Sequence, residues 1–235
     1  MSDERSNARG KSFLFKLAAS AILLAMAMAL SIVSAMIPGL QLPFGGSISI
    51  FSLLPIVLIS WMFGLGWGFC AAHIFSLFRI LRGMATVSAL FLPESDSYMG
   101  VSFALIIIFL DYICAFTALG LGGVFRKAIK NKTASLVLGG LVALLVSYFF
   151  HVLSGAIFYG EWAEWFFTDT IVKDWAVSKF IMEHFSGTGL AIVYSIVYNG
   201  CYMVPEIILT SIGAAAVSAI PQVRLYDGKR SLGRP

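Results

Sequence analysis

The chain has 235 residues, of which 59% are hydrophobic, and its 16 basic and 12 acidic residues give a net charge of +4. Charged residues make up 12% of the chain, about half the fraction usual in soluble domains, and the mean hydropathy is +0.91. These values exclude a soluble domain, a disordered chain and a fibrous repeat. The fold class predicted is an all-α integral membrane protein.

The apolar runs, taken in chain order, predict six transmembrane helices in one bundle. A crossing helix needs roughly 20 apolar residues. The runs that meet this need are 13–37, 47–65, 67–91, 101–125, 134–159 and 190–220. Gly64, Gly66 and Gly68 predict a tight turn between the second and third runs. Pro205 predicts a kink in the sixth run, which is read as one helix.

Basic residues cluster in three segments that six crossings place on one side of the membrane. They are Arg5, Arg9, Lys11 and Lys16; then Arg126, Lys127, Lys130 and Lys132; then Arg224, Lys229, Arg230 and Arg234. Because such clusters stay in the cytoplasm, both termini are predicted to be cytoplasmic. The domains are then a leader at 1–12, the transmembrane domain at 13–220 and a basic tail at 221–235. The same clusters predict no nucleic-acid partner.

The stretch between the fifth and sixth runs is the largest external piece. It carries Trp162, Trp165 and Trp175. Apolar side chains at helical spacing predict an external interfacial helix around 170–185. Such a helix either covers the outer end of the helix bundle as a lid or lies among the lipid headgroups.

Asp111 is the clearest candidate for function, because an ionisable side chain inside a membrane is costly. It lies in the fourth run, about 15 Å below the outer face. Its alternative role is an ion pair with Arg79 or Arg82.

His151 lies at a similar depth in the fifth run. It either lines a pocket or packs inside the bundle. The small residues that precede it at steps of four, from Gly139 on, predict a packing seam.

The sixth run brings an amide and several tyrosines to the same depth: Tyr194, Tyr198, Asn199 and Tyr202. Glu206 lies deeper, either as a ligand contact or bonded to backbone groups that Pro205 frees. A cavity with a carboxylate, a histidine, an amide and aromatic rings suits a small planar cation. Thiamine, with its thiazolium and aminopyrimidine rings, has this chemistry.

Three segments carry more specific motifs, and they lie at 110–123 (LDYICAFTALGLGG), 151–159 (HVLSGAIFY) and 194–206 (YSIVYNGCYMVPE). Together with Gly46-Ser47-Ile48-Ser49 and Leu54-Pro55 upstream, they resemble the ThiT family. Members of that family are thiamine-specific S-components of energy-coupling factor (ECF) transporters. The resemblance covers about residues 45 to 210, and the motifs occur in the family's order.

The resemblance implies a high-affinity thiamine-binding subunit in the cell membrane of a prokaryote. It implies two kinds of partner: an EcfT-type transmembrane subunit and two cytoplasmic ATPase subunits. It implies no cofactor, with thiamine as the transported ligand. The ligand-binding residues that it implies are Asp111, Tyr112, His151, Tyr159, Tyr194 and Asn199, with Trp162 and Tyr198 as further candidates. The alanines that it places against EcfT are Ala21, Ala25 and Ala29.

Two departures from the family pattern leave the ligand open. Asp111 stands where some members have Glu, and Tyr159 stands where Trp is expected, with Trp162 as a candidate substitute. A thiamine precursor or a thiamine phosphate is the alternative ligand, and Arg79 and Arg82 keep the phosphate open. For these two arginines the sequence favours extension to the membrane surface or ion pairing.

Other function classes receive less support from the sequence. A stand-alone proton-coupled secondary transporter would use Asp111, His151 and Glu206 as a relay, but the chain shows no internal repeat. An enzyme is not predicted, because Ser154 beside His151 lacks a nucleophile motif and an oxyanion feature. The three cysteines show no pairing or metal-ligand pattern. The chain also lacks a P-loop, so an ATPase would be another chain.

Overall fold

The computed structural model describes residues 2–42, 45–221 and 223, with side chains from residue 12 onward. The described part is all-helical, apart from an isolated antiparallel bridge between Gln41 and Ser47. Its helices are α1 Ser2–Ala35, α2 Leu54–Phe63, α3 Leu65–Arg82, α4 Met84–Ala89, α5 Gly100–Gly123, α6 Lys132–Phe158, α7 Ala163–Asp169, α8 Ala176–His184 and α9 Gly187–Ser218. The predicted basic tail from Arg224 onward lies outside the described residues.

Four stretches of the described chain are long and apolar enough to cross a membrane. They are Ser12–Ala35, Gly100–Gly123, Lys132–Phe158 and Gly187–Ser218. These stretches correspond to the first, fourth, fifth and sixth predicted runs. Pro205 lies inside α9 without ending it, so the prediction of one helix through the proline is confirmed.

The second and third predicted runs differ from the observed helices. α2 has 10 residues, about 15 Å of helix against a hydrocarbon core of roughly 30 Å. Residues 47–53 are not helical, and side chains elsewhere in the fold satisfy two of their backbone N–H groups. The N–H of Ser49 donates to Glu206 Oε1, and that of Ile50 donates to Ser34 Oγ at 2.9 Å.

The turn between α2 and α3 is confirmed at Gly64, whose φ of 97° is one that glycine adopts most readily. α3 ends at Arg82, and Gly83 separates it from the short α4. The third run is therefore broken rather than continuous to residue 91. Six crossings stay a prediction.

The external segment forms two helices, α7 and α8, instead of one helix around 170–185. The turn between them is closed by Ser178 Oγ, which donates to Val172 O at 2.6 Å. Phe166 and Phe167 of α7 are buried in the main core. Because these rings pack onto the bundle, α7 is part of the fold and not a helix floating at its surface.

Small residues let α6 approach its neighbours closely. Gly139, Ala143, Ser147, His151 and Gly155, which lie at steps of four, are all buried. The predicted packing seam is therefore confirmed. Helices that meet through small residues gain close van der Waals contact along their whole length.

Replacing Gly139 with alanine is expected to destabilise the protein by about 1–3 kcal/mol. A Cβ at Gly139 would overlap the carbonyl oxygen of Gly122 at the end of α5, where only backbone movement can relieve the clash. The measurement is the thermal unfolding midpoint in detergent. Gly66→Ala in α3 is the matched control, because a Cβ there meets no atom within 4 Å. Equal midpoints for both variants would contradict this packing.

Candidate functional site

A cavity lies between α3, α5, α6 and α9, and residues 45–47 close one side of it. The six ligand-binding residues implied by the resemblance all line it, as does Tyr198: Asp111, Tyr112, His151, Tyr159, Tyr194 and Asn199. Trp162 instead packs edge-on against Trp165, with ring centroids 6.3 Å apart.

Asp111 and Tyr112 lie in a π-helical segment of α5, Ile108–Cys114. Such segments are rare and occur often at functional sites. The wider turn changes the register of α5, so the residues on either side of it face different neighbours. No residue pattern in the sequence predicts this segment, because the sequence there is uniformly apolar apart from Asp111.

The carboxylate of Asp111 is held by two side chains of α6. His151 Nδ1 donates to Asp111 Oδ1 at 3.0 Å, and Ser154 Oγ donates to Asp111 Oδ2 at 2.8 Å. A carboxylate only accepts hydrogen bonds, so the Nδ1 of His151 carries a proton. The predicted alternative of an ion pair between Asp111 and Arg79 or Arg82 is not what the structure shows.

Aromatic rings surround the imidazole of His151. The rings of Phe116 and Tyr202 both meet it edge-on, each with a centroid distance of 5.7 Å. Phe116 was not anticipated from the sequence, in which it is one apolar residue among many. Its position follows from the π-helical segment before it, together with the packing of α5 against α3.

A second aromatic group covers the α9 side of the cavity. Tyr194 and Tyr198 lie one turn apart with ring centroids at 5.7 Å, and Phe166 of α7 contacts both, at 5.3 and 5.7 Å. Only 1% of the surface of Tyr194 is exposed. The cavity therefore offers ring faces and edges on two sides of the Asp111–His151 pair.

Asn199 is fixed by the surrounding polar groups. Its Nδ2 donates to Ser195 O at 2.8 Å and to His151 O at 3.3 Å, while its Oδ1 accepts from Tyr202 Oη at 2.6 Å. The bond to His151 O connects α9 to α6 directly behind His151. Asn199 thus both lines the cavity and holds its wall in place.

Residues 45–47 close the cavity through contacts with α9. The N–H of Gly46 donates to Tyr198 Oη at 3.2 Å. A Cβ on Gly46 would lie 2.8 Å from that oxygen and 3.0 Å from the ring of Tyr202. The glycine is therefore required by the close approach of this segment to α9.

Glu206 of α9 holds the backbone that directly follows residues 45–47. It is 1% exposed and accepts from the N–H of Ser49. The backbone that it holds is thus that of the segment after α1, and not the backbone of α9 near Pro205 that the sequence suggested. Glu206 does not line the cavity. It therefore stands apart from Asp111 and His151, with which a secondary transporter would use it as a proton relay.

Arg79 and Arg82 project from the last turn of α3 toward Ser47. Arg79 is buried and lines the cavity, with Nη1 donating to Ser31 Oγ at 2.8 Å. Arg82 Nη2 donates to Ser47 Oγ at 3.3 Å. Burial of the Arg79 side chain excludes the simple alternative in which it extends to the membrane surface.

The chain is similar to known proteins in sequence and in fold. Residues 17–165 match a family described as "Thiamine transporter protein (Thia_YuaJ)". Thiamine transporter ThiT of Bacillus subtilis (strain 168) is 32% identical over 208 residues, which cover 85% of this chain and 88% of that protein. A solved structure of ThiT from Listeria monocytogenes matches with a TM-score of 0.58 and 22% identity, over 90% of this chain and 98% of that one. At this identity the structural match shows the fold.

Proposed function

Because the chain belongs to the thiamine transporter family, we propose that it is the high-affinity thiamine-binding membrane subunit of an ATP-driven ECF importer. It captures thiamine at the outer face of a bacterial cell membrane and delivers it toward the cytoplasm. The protein is a transport protein and not an enzyme. Thiamine is its cargo.

The observation that carries this proposal is the Asp111–His151 pair inside an aromatic cavity. A thiazolium ring is a cation, and ring faces and edges such as those of Tyr194 and Tyr198 bind flat cationic rings. The carboxylate of Asp111 supplies a compensating negative charge where the membrane offers none. The aminopyrimidine ring requires hydrogen-bonding groups, which His151 and Asn199 present beside it.

The distribution of charge supports an outward-facing cavity. Lys132 begins α6 at the basic end of the bundle, and His151 lies about 28 Å further along that helix. Since basic loops stay cytoplasmic, we infer that the cavity lies at the outer side. In this arrangement six crossings put both termini in the cytoplasm, with α2 and α3 forming a helical hairpin at Gly64.

Coupling to ATP requires other chains, and the exposed face of α1 supports one of these contacts. Ala21, Ala25 and Ala29 are all exposed, whereas Ala27 and Ser31 of the same helix are buried against the bundle. An EcfT-type subunit is the proposed partner of the alanine face. Two cytoplasmic ATPase subunits complete the proposed importer.

The test is a binding titration of the purified protein in detergent, without ATP or partner subunits. We expect saturable binding of thiamine, measured by calorimetry and by the change in tryptophan fluorescence. The separate pyrimidine and thiazole halves should bind more weakly, because each uses only one part of the cavity. Choline, a cation without a ring, is the control. Absence of thiamine binding, or equal binding of choline, would refute the assignment.

A further inference from the structure

The wall of the cavity nearest α3 carries a buried positive charge. Arg79 is 8% exposed and lines the cavity. Its hydrogen bonds go to neutral groups, since Nη1 donates to Ser31 Oγ at 2.8 Å and Nη2 to Ser47 Oγ at 3.5 Å. Hydroxyl groups leave the net charge of a guanidinium in place. A cationic ligand in this cavity therefore meets a wall of its own sign, unless a carboxylate elsewhere balances Arg79.

The carboxylate that balances Arg79 belongs to Glu206 of α9. The two buried charges attract each other. Among the described residues the one ion pair within 4 Å joins His151 and Asp111, so Glu206 acts on Arg79 over a longer distance. Such an attraction persists beyond salt-bridge contact inside a protein, because the interior screens charge less than water does. Glu206 and Arg79 thus form a separated charge pair between α9 and α3.

The hydrogen bonding of Glu206 indicates that its charge matters more than its contacts. Glu206 is 1% exposed, and its Oε1 accepts from the N–H of Ser49. Its Oε2 has no hydrogen-bond partner in the part of the chain that the structure describes. A buried carboxylate that only packs and bonds has donors at both oxygens, as Asp111 has. The attraction to Arg79 is therefore the main compensation for the buried charge of Glu206.

Asp111 and Arg82 also carry charge near the cavity. Arg82 is only partly buried, and solvent screens the charge of such a side chain. Asp111 lines the cavity. Because the charges of Arg79 and Glu206 oppose each other, the charge that dominates at the ligand is that of Asp111. A cavity with this balance accepts a cation.

We propose that Glu206 is a specificity-determining residue that does not touch the ligand: it neutralises Arg79 and so lets the cavity prefer a cationic ring over a neutral ring of the same shape. Because it takes thiamine as the ligand, this inference rests on the proposed function. Asp111 attracts the thiazolium directly, and Glu206 removes the repulsion that Arg79 exerts. Selection of a cation requires both carboxylates.

The first test compares thiamine with deazathiamine on the purified wild-type protein by calorimetry. Deazathiamine has a neutral thiophene ring in place of the thiazolium and keeps the aminopyrimidine. We expect thiamine to bind about tenfold more tightly, because only its ring carries the charge that Asp111 attracts. Equal or tighter binding of deazathiamine overturns the inference while the proposed function stands. If neither compound binds, the inference and the proposed function are both refuted.

The second test uses Glu206→Gln, which removes the charge and keeps an oxygen that can accept from the N–H of Ser49. We expect thiamine to bind about tenfold more weakly, and the affinity for deazathiamine to change by less than about threefold. An equal loss for both ligands would assign Glu206 a purely structural role and overturn the inference, as would unchanged binding of thiamine. Glu164→Gln, at an exposed position of α7, is the matched control and keeps the wild-type preference.

The double variant that combines Glu206→Gln with Arg79→Gln tests the charge pair itself. With both charges removed, the repulsion of the cation is gone. We expect the preference for thiamine over deazathiamine to return to within about threefold of the wild type. A structural defect caused by Glu206→Gln would not be repaired by a second substitution. If the preference stays lost, Arg79 is not the charge that Glu206 balances, and the inference is overturned.

Arg79→Gln alone covers the case in which Glu206→Gln does not fold. This variant leaves the negative charge of Glu206 unbalanced near the cavity. The preference for thiamine over deazathiamine should then rise about tenfold above that of the wild type. An unchanged or lower preference, in a variant whose thermal unfolding curve shows an intact fold, overturns the inference.

Discussion

Replacing Asp111 with alanine is expected to lower the affinity for thiamine by about 30-fold or more. The carboxylate is the acidic group of the cavity lining, and it orders His151 and Ser154 on the facing helix. Removing one member of a buried, hydrogen-bonded charge pair costs about 2–5 kcal/mol, which corresponds to this loss. The measurement is a calorimetric titration of the purified variant with thiamine.

Two further variants separate charge from packing at this position. Asp111→Asn keeps the shape of the side chain but removes its charge, and we expect it to lose most of the affinity as well. Asp169→Asn, at the exposed end of α7, is the matched control and should bind as the wild type does. A thermal unfolding curve for each variant shows that the fold is intact. Wild-type affinity in Asp111→Ala would remove Asp111 from the ligand site.

Ala25→Trp is expected to abolish thiamine uptake while leaving thiamine binding intact. Ala25 is exposed on the outer face of α1, and the cavity lies on the other side of that helix, beyond Ser31. A large ring on this face prevents the close helix approach that small residues allow. It does not reach the groups that contact the ligand.

The measurement pairs uptake of labelled thiamine into proteoliposomes, which contain the partner subunits and ATP, with a titration of the isolated variant. Leu145→Trp on α6, at another lipid-exposed position of 47% exposure, is the control and should support normal uptake. Loss of binding together with uptake in Ala25→Trp would mean that the substitution damages the fold. Normal uptake would remove the alanine face from the partner contact.

Much of the helical framework was predictable because the signal for it is local. A helix through Pro205, a turn at Gly64 and the seam from Gly139 to Gly155 each follow from residues close together in the chain. The depth of a residue in the membrane is also predictable from local sequence, since it follows from counting residues from the end of its helix. That is why Asp111 and His151 were expected at one level before their contact was seen.

The rest depends on contacts between distant segments. Residues 47–53 belong to the same predicted run as the helix after them, yet they are not helical, and Glu206 and Ser34 accept hydrogen bonds from two of their backbone N–H groups. The same segment brings Gly46 and Ser47 into the cavity lining. Sequence spacing carries no information on a bond that joins Ser49 to a residue 157 positions away.

The amino-acid sequence alone determined the class of molecule, because burying apolar helices in lipid is a property of composition and run length. It also identified the polar residues that a membrane interior makes costly. Only the tertiary structure decided which of these groups meet: Asp111 with His151 and Ser154, and Arg79 with serines instead of a carboxylate. The physical reason is that side-chain partners are chosen by helix rotation and close packing, which depend on the whole bundle at once.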